Sequence, residues 1–234
     1  MSATATKVPT RVGEEWLRRV EAEYTSCAIT ASFVQWMIRL GAPPQLIRDG
    51  LRVVDDELEH ATLSHAVALD AGCDARPGLV QESLGLTRSD APLWLDALWT
   101  AVETFCLGET VAVPLFVAMR AETTVESARV ALDRIVRDEV RHRDFGWSCL
   151  DWFSQTRPKE TRLHVERALP DMMQRLRSHY APSTDAGPGQ ESAHDAQWGL
   201  LPAARYAEIL ERCVRRDFMP RFETLGIDPA LCGA

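Results

Sequence analysis

The residues best suited to chemistry occur twice. Positions 52–60 read Arg-Val-Val-Asp-Asp-Glu-Leu-Glu-His, and positions 134–142 read Arg-Ile-Val-Arg-Asp-Glu-Val-Arg-His. Five of the nine positions are identical, and two more exchange one aliphatic side chain for another. Each copy contains Asp-Glu-x-x-His: Asp56, Glu57 and His60 in the first, Asp138, Glu139 and His142 in the second. On a helix, Glu at i and His at i+3 leave the same face one turn apart. The carboxylate offers a hard oxygen and the imidazole a nitrogen to one metal ion. A lone E-x-x-H carries little weight, because solvated helix faces produce it often. Two copies in register, with apolar flanking positions, are far more specific.

Each copy should also draw a carboxylate from the helix before it. The candidates are Glu21 and Glu23 ahead of the first copy, and Glu103 and Glu109 ahead of the second. Strict repeat register favours Glu21 and Glu103, each 36 residues before its E-x-x-H (21 to 57, 103 to 139). Local environment favours Glu23 and Glu109. Glu23 precedes the small residues Ser26, Cys27, Ala28 and Ala31, and Glu109 stands alone in the apolar run Cys-Leu-Gly-Glu-Thr-Val-Ala-Val-Pro. An unpaired carboxylate there would carry a large desolvation cost. Pro114 cannot donate to the Thr110 carbonyl and predicts a loosened helix one turn after Glu109.

These residues need long helices to hold them. Helical periodicity runs from about Glu14 to Leu40, from Pro44 to Gly72, from the Ser89-Asp-Ala-Pro92 start to Arg120, and from the Thr123-x-x-Glu126 capping box to Gln155. Strand signals are almost absent. The first two segments, and the last two, are separated by only a few residues, so each pair is expected to be an antiparallel hairpin. About 20 residues, Gly72 to Ala91, join the hairpins. At ~3.3 Å per residue they can span ~66 Å, more than the ~37 Å of a 25-residue helix, so one long crossover can traverse the bundle. The expected organisation is an all-α four-helix bundle over 1–155 carrying a dimetal site. A helical extension follows over 156–234, with patterns at about Glu160–Tyr180 and Ala203–Leu225 and a flexible stretch around 181–195.

Composition narrows the field further. The 234 residues, 46% hydrophobic, can build one sizeable core. A net charge of -8 argues against nucleic acid as partner. No apolar run is expected to approach the ~20 residues of a membrane span. The start, MSATATKVPTRVGEEW, lacks the apolar core of a secretory signal, and the expected location is cytoplasmic. Six scattered cysteines without a CxxC pair read as reduced, mostly buried thiols. His65, His164, His179 and His194 are expected to lie away from the site. Trp36, Trp94, Trp99, Trp147 and Trp152 should fill the core, and Arg205, Arg212, Arg215, Arg216 and Arg221 should form a solvated face.

The order Glu23, Glu57-x-x-His60, Glu109, Glu139-x-x-His142 resembles the ferritin-like diiron-carboxylate superfamily across about residues 14–155. Asp138-Glu-Val-Arg-His142 resembles the D-E-x-R-H signature of bacterial diiron monooxygenases, and Gly108-Glu109 looks like the third-helix ligand of ferritin-like oxygenases. The chain departs from that pattern at Glu59, where an arginine would stand, and at Val113, where several monooxygenases carry a hydroxyl. The resemblance implies a ferritin-like bundle with two iron ions, or manganese and iron, held by Glu23, Glu57, His60, Glu109, Glu139 and His142. Asp56 and Asp138 would each fix a ligand histidine through its other ring nitrogen. It further implies an O2-activating oxidase or oxygenase acting on a small organic substrate, fed by an external electron donor such as a reductase or ferredoxin, as a monomer or small homo-oligomer. Iron or peroxide handling, as in ferritins and rubrerythrins, is the alternative activity.

Overall fold

A computed structural model describes residues 11–180 and 193–233, which form helices joined by turns and by one longer irregular connection, with no strand among the described residues. Helix α1 (Arg11–Arg39) stops where Gly41 takes φ +73°, a left-handed backbone that glycine adopts without a Cβ penalty. The Ala42 N–H then donates to the Met37 carbonyl, closing the C-terminus as a Schellman turn. Helix α2 starts at once, with Pro44 at its first position (Pro44–Asp70), and packs along the length of α1.

The chain then climbs back along α1. Gly78 N–H donates to Glu21 Oε1 at 2.5 Å, Gly85 lies against Ser32, and the Arg88 guanidinium sits 5.9 Å from the Trp36 ring centre. This ascending order is the crossover expected from its length. Helix α3 (Leu93–Thr100) follows, then a π-helical segment (Ala101–Gly108), then α4 (Glu109–Ala121). Helix α5 (Glu126–Thr156) returns antiparallel to α4 and packs on α2.

Several local expectations are corrected. Helix α3 begins at Leu93 after Pro92, so Ser89 does not cap it; its hydroxyl instead bonds Asp96 Oδ1 at 2.5 Å. The Thr123 capping box does not form: the hydroxyl bonds back to the Met119 carbonyl at 2.7 Å, and Val125 occupies the cap position. The first N–H groups there are satisfied differently, Thr124 and Val125 both donating to the Gln197 carbonyl. That carbonyl belongs to α7 (Ala193–Gln197), so positions 193–195 are helical, while the rest of the stretch expected to be flexible, 181–192, lies outside the described residues. The apolar stretch Leu93–Ala121 also proves long and apolar enough to cross a membrane, contrary to the sequence expectation; an 18-residue window within it has mean hydropathy 1.5, and half of that window is buried inside the fold. Trp36 and Trp147 are buried, whereas Trp94, Trp99 and Trp152 are only half-buried against the core.

Helices α6 (Pro158–Tyr180), α8 (Ala203–Cys213) and α9 (Met219–Thr224), with the π-helical segment Val214–Phe218 between the last two, contribute Leu169, Met173, Ile209, Phe218 and Phe222 to the same core cluster as Phe33, Phe105 and Phe153. The described cysteines are all free thiols, buried except Cys27. The tightest approach joins α5 to the π segment. A Cβ at Gly146 would lie 2.5 Å from the Phe105 carbonyl carbon and 2.7 Å from its oxygen, so only glycine lets these backbones touch.

Candidate metal centre

Helices α2 and α5 pack antiparallel, which turns the two E-x-x-H motifs toward each other. The His60 and His142 rings lie 5.5 Å apart, fully buried. Nδ1 of each histidine faces inward. That of His60 is 3.6 Å from Glu57, 3.7 Å from Glu139 and 3.9 Å from Glu23. That of His142 is 3.4 Å from Glu57 and 3.6 Å from Glu139. Glu57 and Glu139 therefore each reach both histidines. Glu23, on α1, stands on the His60 side, and Glu109, at the start of α4, groups with Glu139 and His142. Glu23, Glu57 and Glu139 are buried, and Glu109 is 9% exposed.

The alternative pair points elsewhere. Glu21 fastens the crossover through Gly78, and Glu103 pairs with Arg175 at 2.6 Å on the surface. The register that separates Glu103 from Glu109 runs through the π segment, in which Glu109 N–H donates to the Thr104 carbonyl five residues back. The irregularity expected after Glu109 from Pro114 thus lies before it, and Pro114 sits within α4. Trp147 Nε1 donates to Thr110 Oγ1 at 2.9 Å and ties the first turn of α4 to α5, beside Glu109.

The outer ring nitrogens cross over. His60 Nε2 is 3.5 Å from Asp138, and His142 Nε2 is 3.5 Å from Asp56, so each aspartate faces the histidine of the other motif. Arg141 reaches both, 2.7 Å from Asp56 and 2.7 Å from Asp138, while Arg134 and Arg137 also bond Asp138. One arginine thereby serves both halves, which is why exposed Glu59 can replace its counterpart without leaving Asp56 unpaired. Sequence reasoning passed over this clasp and the Ser26 hydroxyl, which donates to Glu57 Oε1 at 2.8 Å. The presence of Arg134 at a repeated position, matched by Arg52, was the available signal.

Burial pushes Glu23 and Glu109 well above the ordinary carboxylate value, and the neighbouring glutamates push the same way. Burial also opposes the charge on Glu57, but His142 and His60 outweigh it and hold Glu57 low. His142 is raised: burial disfavours its charge, and Asp56, Glu139 and Glu57 more than offset that. In the metal-free protein Glu23, Glu109 and His142 therefore hold protons that the unfolded chain would release. Their contribution to stability is present near and below the ordinary values of 4.5 and 6.5 and is lost as pH rises through the raised ones. The metal-free melting temperature should fall as pH is raised from 5 to 8. Metal binding at neutral pH should release protons, seen by calorimetry as an apparent enthalpy that changes with the ionisation enthalpy of the buffer. No buffer dependence would contradict these protonation states.

The donor set fits a pair of divalent ions. Glu23 Oε1, Glu57 Oε2, Glu139 Oε2 and both ring nitrogens of His60 and of His142 are buried without a hydrogen-bond partner. Buried polar atoms are rarely left so, and here the carboxylate oxygens and the two Nδ1 atoms converge, while each Nε2 faces an aspartate at 3.5 Å. Three groups, Glu57–His60–His142, Glu23–His60–Glu139 and Glu109–Glu139–His142, each offer three ligand atoms within 4.8 Å of one another. Four carboxylates and two neutral imidazoles balance two divalent cations, and oxygen-rich ligation without thiolate suits iron or manganese. No protein-family model matches the chain, and no curated protein matches it.

Proposed function

We propose that this site holds two iron ions, or manganese and iron, in a bundle of the ferritin-like type, and that the protein is an O2-activating oxidoreductase acting on a small organic substrate. The observation that carries this reading is the convergence of unpartnered buried carboxylate and imidazole atoms from two docked hairpins. Glu23 and His60 would hold one ion and Glu109 and His142 the other, with Glu57 and Glu139 shared. In the reduced state such a pair supplies two electrons to dioxygen, and an external donor restores them.

The chain's own residues set the conditions. Asp56 and Asp138 favour the tautomer with the proton on Nε2, which leaves the Nδ1 lone pair of each histidine directed inward. Burial opposes the charge on both aspartates, but His142 and Arg141 hold Asp56 ionised, and Arg137, Arg134 and Arg141 do the same for Asp138. Ser26 fixes the orientation of Glu57. Phe33, Phe105 and Phe145, all buried, meet one another tilted or edge to face between the hairpins.

Anaerobic reconstitution with Fe(II) should give two ions per chain by elemental analysis and raise the melting temperature, since metal binds the folded state. Clearly fewer than one ion per chain would overturn the reading. With excess Fe(II) and O2 the protein should stop after a few turnovers, without a mineral core, and elute as a monomer or small oligomer. A cage-sized assembly that mineralises iron would instead favour iron storage.

A further inference from the structure

Arg19 lies one helical turn before Glu23 on the same face of α1. Its guanidinium carbon is 4.1 Å from the centre of the Trp16 ring and 5.4 Å from that of Phe116, and Nη2 meets only the thioether of Met119, at 3.2 Å. Nη1 is shut off from solvent and has no hydrogen-bond partner. None of the ion pairs among the described residues involves Arg19. A guanidinium stays charged at any ordinary pH and presents its donors as a planar fork matched to a carboxylate. Enclosing one donor without an acceptor is costly, so this cation is prepared for an anion that the described residues do not provide. Two acids stand four residues away on its own helix face: Glu15 pairs with Arg18 at 2.6 Å, and the charge of Glu23 would be answered by a metal ion.

The surroundings say what the anion is attached to. Helices α1 and α4 make almost no backbone contact with each other. On α4, Val113 and Phe116 follow Glu109 by four and seven residues, so they share its helix face, and both are half-buried apolar side chains. Tyr206 on α8 packs against the same cluster as Phe116 and stacks on Tyr180, with ring centres 6.3 Å apart. The seam between α1 and α4 thus has a cation at one end, Glu23 and Glu109 at the other, and apolar walls between.

We propose that Arg19 binds the carboxylate of an organic acid whose apolar body lies along Val113 and Phe116, so that the substrate is a small carboxylic acid. The proposal rests on the metal-site reading for what then happens to the acid, but not for its binding. Four residues of helix rise only about 6 Å, which places the reacting carbon a few bonds from the carboxylate.

The test measures binding of benzoate and hexanoate, with benzamide and hexanol as neutral counterparts, by calorimetry and melting temperature. Wild type, Arg19→Met and Arg19→Lys are compared, each metal-free and loaded with Fe(II) under anaerobic conditions, with circular dichroism to show that each variant folds. The acids should bind wild type saturably and the neutral analogues should not. Arg19→Met should weaken the acids by at least about 30-fold, as for removal of one partner of a buried charge pair. Arg19→Lys, which keeps the charge but loses the fork, should fall between them and still reports if the Met variant fails to fold. Binding unchanged in both variants, as direct ligation of iron by the acid would give, overturns the proposal, as does failure of the acids to bind wild type. Acid binding to metal-free protein that depends on Arg19, in a chain that takes up no iron, would uphold this site while removing the dimetal reading.

Discussion

Glu139→Ala should empty both metal positions and yet raise the melting temperature of the metal-free protein. Glu139 lies within 3.7 Å of His60 Nδ1 and 3.6 Å of His142 Nδ1 and belongs to two of the three converging ligand groups. No other side chain can span both histidines from the α5 side, so iron per chain should drop from two to near zero. Without metal, however, four carboxylates are packed together, and burial and mutual repulsion already force Glu23 and Glu109 to hold protons. Removing one carboxylate relieves that conflict and should add about 1 kcal/mol, or ~2–4 °C, to the metal-free fold. Glu109→Ala should lose only the ion on the His142 side. Glu103→Ala breaks an exposed pair with Arg175, so it should keep two ions and change stability by less than about 1 kcal/mol. If Glu103→Ala empties the site while Glu109→Ala does not, strict repeat register governs the ligands instead.

Gly146→Ala should be the most damaging single-methyl change near the site. Its Cβ would fall 2.5 Å from a backbone carbon of Phe105, and a backbone atom cannot swing aside as the end of a side chain can. The π segment must move away from α5, and Glu109, which follows it directly, moves with it, away from His142. Overpacking of this kind costs roughly 3 kcal/mol, which for a chain of this size lowers the melting temperature by ~6–12 °C. The second ion should be lost before the first. Gly50→Ala is the control: its nearest neighbour is the tip of the Val34 side chain, at 2.6 Å, which can turn away. Titration of iron into both variants, followed by thermal unfolding, separates the two cases. Equal effects would mean that the close approach at Phe105 does not position Glu109.

What the sequence disclosed, and what it hid, follows from how far each feature reaches along the chain. The doubled motif, the two short turns and the long connection are local in sequence or fixed by simple lengths, so the helical hairpins and the pairing of Glu57–His60 with Glu139–His142 were legible. That Glu109 faces the histidines while Glu103 faces outward was legible too, because a carboxylate within Leu-Gly-x-Thr-Val has few polar neighbours to solvate it. The π segment was not. A change from four-residue to five-residue hydrogen bonding depends on how α3 and α4 seat against α5 at Gly146, and no residue in Ala101–Gly108 encodes it alone. Thr123 misled for a similar reason: its hydroxyl had a competing acceptor at Met119, and the α5 N-terminus found Gln197, 73 residues away from Thr124 (124 to 197). Arg19 went unremarked because an arginine on an amphipathic helix ordinarily faces water.

The exchange of aspartates between the two motifs has a bearing on how the chain matures. Each histidine receives its outer contact from the opposite hairpin, and the bridging Arg141 closes only when both aspartates are present. Neither hairpin can therefore assemble even half of a competent site on its own. The nascent first hairpin, finished well before the second is synthesised, would expose loosely held ligands instead of a ready-made ferrous trap. Were the site to take iron, capture would wait until docking is complete, and the metal would enter only the form that encloses it.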